Sequence, residues 1–153
     1  MLTIGDMAPD FNLLDQHGQE VTLHSFRSSK VLIWFYPKAS TPGCTAEGCS
    51  LRDEFANLTK ENIKIIGISM DTVQRQLNFA TKQNYPYTLL ADTEGKVVRA
   101  YGVWGPKKFM GKEYDGIHRK SFLIDEMGHI VHIFEKVKTK THGQDVLNVL
   151  HSL

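Results

Sequence analysis

The chain has 153 residues, 41% of them hydrophobic, so one domain spanning 1–153 can bury a core without disulfide staples. Lys plus Arg number 18 and Asp plus Glu 17, a formal net charge of +1, which gives no basic excess to attract nucleic acid or an anionic membrane. No apolar stretch approaches the ~20 residues of a membrane span, and Met1–Asp6 carries no basic segment leading into an apolar run, so a cytoplasmic location is expected.

Phe11–Leu14 and Glu20–Leu23 are short alternating runs on either side of the turn signal Asp15-Gln-His-Gly18, and they predict an N-terminal β-hairpin. Val31–Tyr36 is a continuous apolar run, as expected of a central strand buried on both faces. A helix beginning near Pro42 follows, and Ile63–Ser69 repeats the buried-strand pattern. The amphipathic segment Thr72–Asn84 predicts a second helix, Thr88–Ala91 a short strand, and Glu94–Tyr101 a helix ending at Gly102. Gly105–Gly116 is the longest irregular stretch and reads as a functional loop. Its aromatics Phe109 and Tyr114, with Trp104 just before it, would wall a pocket, dock a partner or simply pack the loop. Ser121–Asp125 and Ile130–Phe134 form a hairpin around a glycine-containing turn, and Gln144–Leu153 closes the chain as an amphipathic helix. This order implies an α/β fold, a central mixed sheet flanked by helices on both faces.

Cys44 and Cys49 are the only cysteines. Thr41 is a good helix N-cap and Pro42 a favoured first helical residue, so Cys44 falls in the first turn, where the helix dipole and free N–H groups favour a thiolate. At 100° per residue, Gly48, Leu51, Phe55 and Leu58 lie within roughly 40° of Cys44, while Cys49 lies roughly 140° away with Asp53, Ala56 and Lys60. One thiol should face inward and the other toward water. On a continuous helix the two Cα atoms stand ~8.6 Å apart, beyond the ~7 Å limit of a disulfide. Bonding them would require the helix to unwind, which Gly43 and Gly48 make easier at ~1 kcal/mol each.

Taken alone, buried structural thiols are the simplest alternative. A C-x4-C pair without a second Cys/His pair is a poor zinc match, and none of the seven histidines forms a metal-spaced pair, so surface or satisfied polar roles suit them better. The spacing is also not the C-x-x-C of thioredoxin-type exchange.

Pro37-Lys-Ala-Ser-Thr41-Pro-Gly-Cys44 resembles the peroxiredoxin signature, in which a proline, a threonine and a cysteine form the peroxide pocket. The second cysteine five residues later, together with Phe35-Tyr-Pro-Lys38, Tyr101-Gly-Val-Trp-Gly105 and Tyr114-Asp-Gly-Ile-His-Arg119, is similar to the PrxQ, or bacterioferritin comigratory protein, subfamily. The resemblance implies a thioredoxin-like fold and a peroxidase without metal or organic cofactor. It implies that Cys44 is the peroxidatic thiolate, Cys49 the resolving thiol and Arg119 the active-site arginine, with Thr41 and Pro37 shaping the pocket. It further implies an intramolecular Cys44–Cys49 disulfide, a thioredoxin reductant, a monomer and a role in antioxidant defence. Two other expectations differ in class: a redox-sensing binding protein switched by the same disulfide, and a metal-binding domain using both thiols.

Overall fold

The computed structural model describes residues 1–153. β1 (Asn12–Asp15) and β2 (Glu20–Thr22) form the expected N-terminal hairpin. The Asp15 carboxylate holds the turn by accepting from His17 N and Gln19 N, and Gly18 supplies a φ of 77°. β3 (Lys30–Phe35), β4 (Ile63–Ser69) and β5 (Thr88–Ala91) run parallel at the centre. β8 (Lys120–Ile124) lies antiparallel to β3, and β9 (Ile130–Phe134) antiparallel to β8. With β1 antiparallel to β5, the seven-stranded sheet has the order β2-β1-β5-β4-β3-β8-β9.

β3 sits inside this sheet because its residues are apolar on both faces. Leu32, Trp34 and Tyr36 enter a core with Leu51, Leu58, Phe79 and Val146, whereas Val31, Ile33 and Phe35 enter a second core with Ile66, Ile68, Val98 and Phe122. A slip of one residue would exchange the two sets, so the packing fixes the register. The first core is closed by α1 (Pro42–Asp53), α2 (Phe55–Lys60), α3 (Val73–Gln83) and α5 (His142–Ser152), the second by α4 (Lys96–Ala100) and the N-terminal segment. α3 is bounded as its sequence predicts: Thr72 Oγ1 accepts from Arg75 N, and Asn84 turns left-handed at φ 54°.

Two expectations are corrected. The helix read as beginning near Pro42, whose apolar stripe runs without a break past Phe55, is interrupted at Glu54 into α1 and α2. The interruption coincides with the approach of α5, whose Gly143 N donates to Ser50 Oγ and leaves no room for a side chain against Glu54. The stretch Gly105–Gly116 is not an irregular loop but most of a second, two-stranded sheet, β6 (Trp104–Phe109) and β7 (Lys112–Ile117). Met110 and Gly111, at φ 51° and 81°, make its two-residue turn. Pro106 and the bounding glycines had masked the alternation.

Candidate active site

The site lies where β3 gives way to α1. Asp71, two residues beyond β4, accepts from Ala39 N at 2.7 Å and Ser69 Oγ at 2.6 Å, which pins the loop carrying Pro37 and Thr41 to the sheet. Pro42 opens α1 at its first position, where its missing N–H leaves nothing unsatisfied. Thr41 occupies the cap position with extended backbone but does not cap through its side chain, contrary to expectation. Its Oγ1 donates to Lys38 O at 2.8 Å. Thr41 and Pro37 are both half-buried.

Cys44 is fully buried in the first turn of α1, and the guanidinium of Arg119 meets it there: Nη2 stands 3.4 Å from Cys44 Sγ. Gly43 leaves room for the approach, since a Cβ at that position would come within 3.1 Å of Nη2. Arg119 directs Nη1 to Glu47 Oε1 at 2.7 Å, one turn along the helix. Burial alone would weaken the guanidinium's hold on its proton, but Cys44 and Glu47 reverse this and leave its pKa above the ordinary value. Lys107 of β6 stands nearby, its Nζ donating to Ile117 O at 2.9 Å, with a pKa lowered by desolvation and then by Arg119.

Glu47 has no solvent exposure, and its Oε2 has no hydrogen-bond partner. Burial pushes its carboxyl up to about 7, against the opposing pull of Arg119. His142, at the head of α5, faces that oxygen with Nε2 at 3.7 Å and shares a 2.8 Å hydrogen bond with Ser121 Oγ. Its pKa is driven down to about 4, chiefly by burial. At 3.7 Å the two groups make a close contact rather than an ion pair, because desolvation holds the His142 imidazole neutral.

Cys49 lies on the side of the helix that helical arithmetic suggested, with Asp53, Ala56 and Lys60 exposed, but it is itself less open to water than expected. The end of α3 and the residues after it cover the thiol, leaving Cys49 half-buried, with Sγ 3.5 Å from Gln83 Oε1 and 3.9 Å from Tyr85 Oη. Tyr85 Oη also donates to Thr45 O, and Tyr87 Oη to Gly48 O. Gly48 permits this packing, since any Cβ there would collide with the Tyr85 ring. Both thiols are free and lie in one unbroken helix.

Of the residues singled out in the sequence, the fold brings Cys44 and Arg119 into contact and places Thr41 and Pro37 in the loop entering α1, with Cys49 on another side of the helix. Glu47, His142 and Ser121 were missed. Glu47 lies roughly 60° from Cys44 around the helix, beside the apolar stripe, and His142 lies one turn before Val146 on the buried face of α5. Those positions were the only signals available. Phe109 and Tyr114 are exposed on the β6–β7 hairpin, and Trp104 is half-buried with the Arg99 guanidinium 5.0 Å above its ring.

A thiol at a helix start, held beside a guanidinium at the end of a central strand in a thioredoxin-like sheet, defines a thiol-dependent oxidoreductase. The chain belongs to the AhpC/TSA family, which matches residues 4–133. It is 50% identical over 149 residues to peroxiredoxin Bcp of Escherichia coli K12, covering 97% of this chain and 96% of that protein. Among solved structures it resembles the Xanthomonas campestris bacterioferritin comigratory protein, studied for alkyl peroxide reduction, with a TM-score of 0.87 and 34% identity over 93% of this chain and 90% of that one. It also resembles PrxQ of Xylella fastidiosa, with a TM-score of 0.93 and 28% identity over 99% and 97% of the two chains. The protein is thus a peroxidase of the peroxiredoxin class, with a thioredoxin fold.

Proposed function

We propose that the protein reduces hydrogen peroxide and organic hydroperoxides through Cys44, in cytoplasmic antioxidant defence, and is recycled through a Cys44–Cys49 disulfide by thioredoxin or a similar dithiol. The observation that carries this reading is the 3.4 Å contact of Arg119 Nη2 with a buried Cys44 Sγ in the first turn of α1. The thiolate attacks one peroxide oxygen, an S–O bond forms as the O–O bond breaks, and sulfur gives up two electrons to the peroxide. The leaving oxygen takes a proton and departs as water or alcohol, with Cys44 left as a sulfenic acid. Arg119 and the first-turn N–H groups supply fixed donors for the charge that moves onto that oxygen. In the same scheme the Thr41 hydroxyl turns from Lys38 O to the bound peroxide, and Pro37 restricts water at the thiolate.

Cys49 then attacks the Cys44 sulfenic acid and expels water, giving a disulfide that a dithiol reopens. Because ~8.6 Å separates the two Cα atoms on an intact helix, the start of α1 must unwind first. Unwinding releases the Tyr87 bond to Gly48 O and the Tyr85 bond to Thr45 O. The reading is tested by following turnover with a thioredoxin system and by mass analysis of the linkage. Cys44→Ser should abolish turnover, and Cys49→Ser should stop after one oxidation as the sulfenic acid. A wild-type rate in either variant refutes the corresponding role.

A further inference from the structure

The buried carboxyl of Glu47 and the imidazole of His142 have no part in the steps above, yet they stand directly behind Arg119. The guanidinium touches Cys44 with one nitrogen and Glu47 with the other, and no other Lys or Arg bonds to either residue. Two anions sharing one cation in a desolvated site are strongly disfavoured. One anion beside one cation is the stable arrangement, and oxidation changes which group can be that anion.

We propose that Glu47 and His142 form a buried charge buffer for Cys44, in which Glu47 holds a proton while Cys44 is a thiolate and releases it when Cys44 becomes a neutral sulfenic acid. The inference rests on the assignment of Cys44 as the oxidised thiol. The thiolate, a peroxide and protonated Glu47 yield the sulfenic acid, water or alcohol, and the Glu47 carboxylate. The leaving oxygen gains one proton and Glu47 loses one, the exchange running through solvent, to which 23% of the Arg119 side chain is exposed. After oxidation the guanidinium is matched by Glu47 instead of Cys44.

The surroundings suit both states. Protonated Oε2 faces the neutral His142 ring, whose Nε2, 3.7 Å away, is already engaged by Ser121 Oγ and so brings no second cation to the carboxyl. Ionised Glu47 keeps its 2.7 Å bond from Nη1. The other titratable groups around the site are Tyr36 beside Cys44, Lys107 of β6 beside Arg119, Tyr87 before β5, and Asp145 of α5 beside His142. None of these hydrogen-bonds to Glu47, and its carboxyl, pushed up to about 7, titrates in the working range. Glu47 acts through Arg119 and is therefore a positioning residue.

Infrared difference spectroscopy tests this directly. Cys49→Ser enzyme, used to hold the sulfenic acid, is oxidised by one equivalent of hydrogen peroxide at pH 6.5, with mass analysis of Cys44 on the same sample. The expected spectrum loses the carbonyl stretch of a protonated carboxyl on oxidation. Adding Glu47→Gln removes the band in both states, and Cys44→Ser, neutral at position 44 throughout, lacks it even when reduced. A spectrum without the band although Cys44 is oxidised, or a band that survives Glu47→Gln, overturns the charge buffer alone. Failure of Cys44 to be oxidised overturns both the buffer and the peroxidase assignment on which it stands.

Discussion

Arg119 reaches Cys44 from 75 residues further along the chain, and its Nη2 ends 3.4 Å from Sγ. The same planar group bonds Glu47 at 2.7 Å, so its fork geometry serves two partners at once.

Lysine carries the same charge but only as a point donor, and it cannot span both partners. Arg119→Gln should slow peroxide reduction by about 10²–10³-fold, the usual effect of removing a preorganised donor, with Arg119→Lys recovering only part of the loss. Stopped-flow oxidation of the reduced enzyme provides the measurement; a near wild-type constant in Arg119→Gln would contradict the role.

Gly48→Ala pits helix propensity against packing. Alanine is favoured in a helix by ~1 kcal/mol, but here its methyl group runs into the Tyr85 ring, a collision costing about 1–3 kcal/mol. The expected result is a lower Tm, and Tyr85→Ala in the same chain should relieve much of the penalty. A Tm that rises on Gly48→Ala would show that the tyrosine moves aside freely.

Opening of α1 precedes disulfide formation in the proposed cycle, and Tyr87 Oη fastens that helix by donating to Gly48 O at 2.7 Å. Removing one such bond is worth about 1 kcal/mol, equivalent to roughly a fivefold change in an equilibrium. Tyr87→Phe should therefore accelerate the disulfide-forming phase about fivefold and leave the preceding oxidation phase unchanged. Two-phase fluorescence kinetics separates the steps, and an unaltered second phase would mean that opening does not pass through this contact.

Glu47 and His142 have opposite effects on stability. Glu47 binds its proton more tightly in the fold, up to about 7 from 4.5, so its contribution is full below pH 4.5 and is lost as pH rises to 7. His142 is held down to about 4 from 6.5, so its contribution is full above pH 6.5 and is lost as pH falls to 4. Each amounts to on the order of 3 kcal/mol, and between pH 4.5 and 6.5 the two slopes cancel. Glu47→Gln should therefore make Tm fall on acidification from pH 6.5, whereas His142→Asn should make it rise on acidification from pH 7. Calorimetry across that range distinguishes them; parallel slopes in the two variants would refute the opposition.

β3 and β4 could be read from the sequence because both faces are buried over Val31–Phe35 and Ile65–Ile68, where every residue is apolar. The Cys44–Arg119 contact was legible only through motif resemblance, since no local pattern links residues 75 positions apart. Glu47 and His142 were not legible, because a carboxylate one turn beyond a cysteine and a histidine at a helix start normally face solvent. Only the packing of α5 against α1 buries them. The half-burial of Cys49 was missed for a related reason: helix arithmetic gives direction, but the cover over the thiol comes from Gln83 and Tyr85.

β6 and β7 pair only with each other and share no ladder with the seven-stranded sheet, yet Lys107 on β6 stands beside Arg119. This makes the hairpin a separable module. Its length and its tip at Phe109 and Met110 are open to change by insertion or grafting without disturbing the register of β3 or β8. Variation in the strand beside Arg119 is thereby uncoupled from the framework that holds the thiol.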